Sequence, residues 1–513
     1  MLDDPFSNRR YAWRGPTSLA VAAVPRWLTL LALGGLSLFI FWAGLLAPYN
    51  LYSLRLAPLL NLASLTSDKP WAQAGFVFTV AALSGVYYLA WRACRAGAQA
   101  SPGRQPRALW VALLTSVLAA NLALLWLYPI DAADIFDNID RGRITAQYSG
   151  NPFYQTPRAH AQDPFFKYVA WPDYTSAYGP MWELLAAGAS RLAGDSLLAN
   201  VLVFKLLNLA FYFGCVGLIA AILRRHAPER ALQGVCLFAW NPWVIYETAG
   251  NGHNDIVMVF FILLGMWAVL RGRFTWAALA LLAGGLIKFI PVLLLPVVVA
   301  VALRALPTWR ERLRYAVVTS LAAGLTAVVI FAPFWRGGDM LAFQRRETLF
   351  TASLPAVAQA GLQPALGVDA SQKAVAGAAT VLIAAAVLYQ TWRAWRGTGW
   401  LAPIRASTHI LLFYLLIACL WFQSWYTLWP LALAALLPEG AVARTVVLLS
   451  YAAAWKTIIF SFFLYRGGPL PSRLWRESLL GPITLGLAWM YVAYRLILSH
   501  RRGVQAQPAV AQS

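Results

Sequence analysis

Apolar runs of about 18 or more residues recur along almost the whole 513-residue chain, each long enough to cross the bilayer hydrocarbon as a helix. In lipid, every backbone N–H and C=O must be satisfied within the protein, and for separate runs of this kind the helix does so. The chain is 60% hydrophobic and 12% charged, whereas a soluble chain is about a quarter charged. The expected fold is therefore an all-α polytopic membrane protein. Roughly 12 to 14 spans are expected, with short or re-entrant pieces at 275–304 and 425–438.

The net charge is +21, from 41 basic and 20 acidic residues. The basic residues sit in short loops between apolar runs, and there is no soluble basic domain to hold nucleic acid. Their expected roles are to set topology and to contact anionic lipid headgroups. Placing Arg9–Arg26, Arg92–Arg107, Arg224–Arg230, Arg271/Arg273, Arg304–Arg314, Arg393–Arg405 and Arg501/Arg502 in the cytoplasm puts both termini there. The segments at 129–195, Asn251–Asp255, 335–372, Gln423–Trp429 and Arg466–Glu477 then fall on the opposite side. The run Trp27–Leu46 is long for a signal-peptide core and reads as a retained first helix.

This gives four regions: a tail and three helices at 1–128, an extracytoplasmic loop with interfacial helices at 129–195, a bundle at 196–500, and a disordered tail at 501–513. Within the loop, Tyr178–Ala193 is expected to be a partly immersed interfacial helix. Cys94, Cys215, Cys236 and Cys419 are scattered and form neither a disulfide framework nor a metal motif.

The acidic residues concentrate just after the third helix. Asp131, Asp134, Asp137 and Asp140 recur every three residues, with Asp137 four residues before Arg141. One reading is a salt-bridged surface helix, N-capped by Asp131 or Asp134, with Ile135, Phe136 and Ile139 resting on the membrane. The other is a general base at the water–lipid boundary, where partial desolvation makes a carboxylate a better proton acceptor.

A second cluster, Glu247, Asn251, His253, Asn254 and Asp255, forms a glycine-flanked turn between two apolar helices. A helix beginning near Asp255 would point its first N–H groups at an anion. Lys288 is a lone cation in an apolar stretch, either snorkelling or functional. Trp421, Trp425, Tyr426 and Trp429 form either an interfacial belt or the wall of a sugar or polyprenyl groove.

At these residues the sequence resembles the polyprenol-phosphate-sugar-dependent glycosyltransferases of the GT-C superfamily, above all the bacterial alpha-mannosyltransferases. The resemblance lies in Asp134-Ile135-Phe136, Gly142-Arg143, Gly150-Asn151-Pro152-Phe153, Tyr178-Gly179-Pro180, Gly252-His253-Asn254-Asp255, Gly284/Gly285 with Lys288 and Pro291, and Trp425-Tyr426 with Trp429. These motifs run in order from about 128 to 430. The chain departs from the family where Phe136 replaces a Tyr and Gly179 replaces a Pro, and it has two extra helices ahead of the acidic loop.

The resemblance implies a GT-C-like bundle that transfers a hexose, with mannose as the family's sugar. The donor would be a polyprenyl-phosphate sugar and the acceptor a hydroxyl on a lipid-linked glycan or glycolipid, with inversion at the outer face and no cofactor. Asp134 would be the base, with Asp137 or Asp140 as substitutes. His253 and Lys288 would hold the departing lipid phosphate, and Asp255 would orient His253. Arg141, Arg143, Asn151, Tyr178, Asn251, Trp425 and Tyr426 would position sugar, lipid or acceptor. No nucleotide or metal is required, although clustered carboxylates are also ligands for hard cations.

Two rival readings make different demands. A transporter or flippase should carry ionisable residues near the midplane and often symmetric halves, and no repeat is visible here. An oligosaccharide polymerase or ligase should carry a large late outer loop, whereas 335–372, with Arg345 and Arg346, is moderate in size.

Overall fold

The computed structural model describes residues 24–57, 59–100, 105–338, 349–437, 439–464 and 473–505. Arg9, Arg10, Arg14, Arg104, Arg345, Arg346, the start of 466–477 and the tail from 506 lie outside these residues. Among the described residues there is no strand, and the isolated bridges are Asn50–Leu127 and Thr351–Trp421.

Nine described helices are long and apolar enough to cross a membrane: Arg26–Leu46, Pro70–Gly97, Arg107–Leu124, Leu197–His226, Trp309–Phe331, Val368–Arg396, Leu401–Ala418, Ala441–Phe463 and Ser478–Leu498. A pair bent by 120°, Pro242–Gly250 with Asp255–Leu270, adds a tenth if it is taken as one span. The path expected to give 12 to 14 spans thus includes shorter pieces, among them Ala231–Ala239, Phe274–Gly285, Ile290–Ala305 and Leu428–Ala434. Short or broken helices are tolerated at membrane depth where protein surrounds them. Asp255–Leu270 packs against Phe274–Gly285 and Leu197–His226 at the centre of the bundle. At the rim, the apolar window of Trp309–Phe331 is only 6% buried, and Leu321 and Val328 point outward. Such a surface suits lipid and not water.

The basic loops gather at one end. Arg95 pairs with Glu439 at 3.1 Å, Gln105 donates to the carbonyls of Pro228 and Glu229, and Arg230 donates to that of Leu437. His226 stacks on Trp400, and Arg304 donates to the carbonyl of Trp395. The acidic segment lies at the other end, tied in where Tyr128 N donates to Tyr49 O and Leu62 N to Ile130 O.

Several expectations need correction. The acidic helix, Asp134–Tyr148, has Ala133 at its N-cap with no side-chain cap, so Asp134 is its first residue and Asp131 lies ahead of it. Ile135, Phe136 and Ile139 are at most 3% exposed and face protein rather than lipid. The helix packs against Pro180–Ala193 and also touches Leu197–His226. A Cβ on Gly142 would come 2.5 Å from the Ala186 carbonyl oxygen, so glycine permits the close approach of the first two helices. The described part of 335–372 is largely helical: Ser353 caps Leu354–Leu366, and Gly367, at φ 77°, leads into Val368–Arg396. The last helix, Arg473–Gln505, makes 501–505 helical rather than disordered.

Candidate active site

Segments far apart in sequence meet at the acidic end of the bundle. The break between Pro242–Gly250 and Asp255–Leu270 is its hub. Gly252 takes φ 77° there, and a Cβ would clash with Ile135 at 2.5 Å. Asn208 Nδ2 donates to Gly252 O, which pins the turn to the Leu197–His226 helix. Asn251 Oδ1 accepts from the backbone N–H groups of Ile130 and Asp131. Its Nδ2 donates to Glu247 Oε2. Asn251 therefore joins the turn to the acidic segment through structural bonds.

Glu247 is fully buried. Ser424 donates to its Oε1, and His253 Nδ1 lies 2.9 Å from its Oε2, an ion-pair contact out of hydrogen-bond alignment. The His253 ring is stacked on Trp425 at 3.8 Å, with 15° between the planes. The expected orienter, Asp255, has other partners: it accepts from Lys288 Nζ at 3.0 and 3.1 Å and from Trp429 Nε1 at 2.6 Å. Glu247, not Asp255, therefore sits at His253.

Lys288 follows the end of Phe274–Gly285 and does not snorkel. Its ammonium lies 4.6, 5.5 and 5.7 Å from the ring centres of Tyr426, Trp429 and Tyr178. Aromatic faces attract a cation, so the rings hold it at the site while it stays partly exposed. Trp425 and Trp429 are 7% and 1% exposed, which makes them walls of this centre rather than a lipid-facing belt.

Tyr178 links the cation to the acidic helix. Its hydroxyl donates to Asp134 Oδ2 at 3.2 Å. The adjacent Gly179 donates its N–H to Ile287 O, and a Cβ there would lie 2.2 Å from Leu286 O. Only glycine docks the Tyr178 segment this closely on the segment carrying Lys288. Asp134 is half-buried. Asp131 is held by Ser424 and Thr457.

The other expected residues lie deeper. Asp137 accepts from Trp171 N, and burial pushes its carboxyl up to about 6. Asp140 is pushed up to about 7, first by burial and then by Asp163. Glu183, which accepts from Ser176, is also pushed up to about 7 by burial. Arg141 is buried near these acids, and its Nε and Nη2 have no protein partner. The Arg143 guanidinium is committed to Asp163 and Asp195, at 2.9 and 3.0 Å, and lies over the Phe165 ring. Asn151 closes a turn, donating to Phe334 O and accepting from Phe153 N. These contacts make Arg143 and Asn151 parts of the scaffold of the acidic segment. Among the described residues, no group of three or more His, Cys, Asp or Glu side chains is arranged to hold a metal ion.

Glu247, Ser424, Thr457, Gln423 and Lys456 belong to the site without having been assigned a role from sequence, and Asp131, a candidate helix cap from sequence, joins them. Lys456, which donates to Gln423 Oε1 at 2.6 Å, carried a signal: it is a lone cation in an apolar run, as Lys288 is. The small polar residues carried none.

The family described as "Alpha-(1->6)-mannopyranosyltransferase, N-terminal domain" matches residues 118–304. The chain is 26% identical over 378 residues to alpha-(1->6)-mannopyranosyltransferase A of Mycobacterium tuberculosis, covering 67% of each protein. It is 29% identical over 156 residues to alpha-(1->6)-mannopyranosyltransferase B of Corynebacterium glutamicum, covering 28% of this chain and 24% of the relative. To the A enzyme of the same organism it is 22% identical over 239 residues, covering 44% of this chain and 48% of the relative. The matched 118–304 stretch contains Asp134, Tyr178, Glu247, His253, Asp255 and Lys288. The chain is a glycosyltransferase, similar in sequence to the bacterial alpha-(1->6)-mannopyranosyltransferases.

Proposed function

We propose that the protein transfers a mannosyl group from a polyprenyl-phosphate donor to a hydroxyl acceptor, with inversion, at the face of the membrane opposite the cytoplasm. One observation carries this reading: Tyr178 touches the Asp134 carboxylate while its ring faces the Lys288 ammonium. A proton acceptor and a cation are thus linked through one tyrosine beside stacked aromatic rings.

In the proposed step the acceptor hydroxyl oxygen attacks the anomeric carbon, and the bond from that carbon to the phosphate oxygen breaks. The hydroxyl proton passes to Asp134, and the bonding electrons leave with the lipid phosphate. In this reading Lys288 and the buried His253 supply positive charge to the departing phosphate. Fixed positive groups there lower the barrier, because they need no reorganisation during the reaction. Asp255 holds Lys288 and Glu247 holds His253. A base and a leaving phosphate on opposite sides of the anomeric carbon give inversion. The sugar assignment rests on the names of the relatives. The sidedness rests on the basic loops gathered at the far end of the bundle.

The test is to incubate the purified protein with radiolabelled polyprenyl-phosphate mannose and a membrane-lipid extract. Donor-dependent label in a new glycolipid is the expected result. Label moved across the bilayer without a new glycosidic bond would overturn the proposal.

A further inference from the structure

Away from Lys288 a narrow, partly open groove lies among the Arg26–Leu46, Pro70–Gly97 and Ala441–Phe463 helices and the Pro242–Gly250 piece. The helices on three of its sides are long and apolar enough to span a membrane. Its wall includes Phe76, Leu83, Tyr451 and Ala454. Most polar groups on the wall are already satisfied by protein: Tyr87 donates to Leu237 O, Tyr451 to Ser84 O, and Asn241 to Ser450.

Two groups are not satisfied. Trp243 Nε1 and Tyr246 OH line the groove, are buried, and make no protein hydrogen bond. Their rings lie against each other at 4.7 Å. A buried donor without an acceptor costs free energy that a ligand oxygen would recover. Tyr246 immediately precedes Glu247, and Glu247 shares the Ser424 hydroxyl with Asp131. The groove wall at Tyr246 thus lies near the carboxylates of Asp131 and Glu247. It shares no lining residue with the Asp255, Tyr178, Tyr426 and Trp429 set around Lys288.

We propose that this groove holds a hydrocarbon chain of a lipid-anchored acceptor, with ester or ether oxygens at the head of the chain accepting from Trp243 and Tyr246. The acceptor hydroxyl is then presented beside Asp131 and Asp134, while the donor phosphate occupies the Lys288 side. This rests on the proposed transfer reaction. It also gives a role to the helices at 26–46 and 70–97, which lie outside the matched 118–304 stretch.

The test compares hexadecyl α-mannoside with methyl α-mannoside as acceptors, using the full-length protein in nanodiscs. Ala454→Trp and Leu83→Trp each fill the groove. They should raise KM for the hexadecyl acceptor at least about tenfold, equivalent to about 1.4 kcal/mol. The KM values for the methyl acceptor and for the donor should not change. An unchanged hexadecyl KM overturns the proposal. So does a rise in donor KM alone, which would give the groove to the donor chain.

A second measurement needs no variant. Wild-type protein is irradiated with a hexadecyl mannoside carrying a diazirine in its chain. Labelling within 76–87 and 450–454, competed by unlabelled hexadecyl mannoside, supports the groove, and labelling confined elsewhere overturns it. If the wild type mannosylates neither acceptor, the transfer reading fails, while the crosslink still decides the groove.

Discussion

At the scale of single residues, the site is organised by which charges have partners. Lys288 and Asp255 form a partly exposed pair, and Trp429 fills the remaining position on Asp255. Lys288→Met removes the cation and leaves Asp255 buried without its counter-charge, so both stability and transfer should fall. Breaking such a pair costs about 3 kcal/mol. Adding Asp255→Asn should restore most of the thermal midpoint without restoring transfer, as read from melting curves and initial rates. Recovery of activity in the double variant would show that Lys288 acts only through packing.

Glu183 gives a prediction in pH. Glu183 and Asp140 are pushed up to about 7 and Asp137 to about 6, in each case first by burial. The folded protein keeps these protons between about pH 4 and about pH 7, where the unfolded chain has lost them. Stability therefore falls as pH rises through that window, and the cost is complete above it. Glu183→Gln keeps an acceptor for Ser176 and removes the buried charge. It should raise stability at about pH 8 by on the order of 1–3 kcal/mol, and by little at about pH 5. Equal melting shifts at both pH values would contradict the assignment.

At the scale of elements, the site depends on close backbone approaches. Gly179 lets the Tyr178 segment dock on residues 286–287. Gly179→Ala must push Tyr178 away from Asp134 or Lys288, at a cost of about 1–3 kcal/mol in stability. Misplacement of about 1 Å is enough to lower kcat some tenfold to a hundredfold. An unchanged kcat in a folded variant would mean that the Tyr178 contacts are incidental.

Much at this scale was legible in the sequence, because long apolar runs report directly on spans such as Arg26–Leu46 and Leu197–His226. Less legible were elements whose apolar faces meet protein instead of lipid. Ile135, Phe136 and Ile139 give the same pattern whether they rest on a membrane or on a neighbouring helix, and only the tertiary fold decides. The helix Leu354–Leu366 was hidden for a related reason, since a short amphipathic helix lacks the continuous hydrophobicity that marks a span.

At the scale of the whole molecule, the bundle brings the 131–134 segment, Tyr178, the 247–255 break, Lys288 and the 424–429 stretch to one end and the basic loops to the other. The motif residues were visible in the sequence, but their partnerships were not. Asp255 serves Lys288, Glu247 serves His253, and Arg143 is held by Asp163 and Asp195, because each pairing depends on how distant segments pack. The arrangement suits a transferase whose substrates are held in the bilayer by their lipid tails, with the reacting groups meeting at its edge.

In the proposed reaction Asp134 takes the proton from the acceptor. The most direct measurement is the initial rate of mannosyl transfer from polyprenyl-phosphate mannose by purified wild-type and Asp134→Asn protein, with melting curves and donor binding recorded on the same samples. A loss of about 10²- to 10⁴-fold in kcat is predicted, with melting and donor affinity unchanged. An Asp134→Asn protein that keeps most of the wild-type rate would contradict the account.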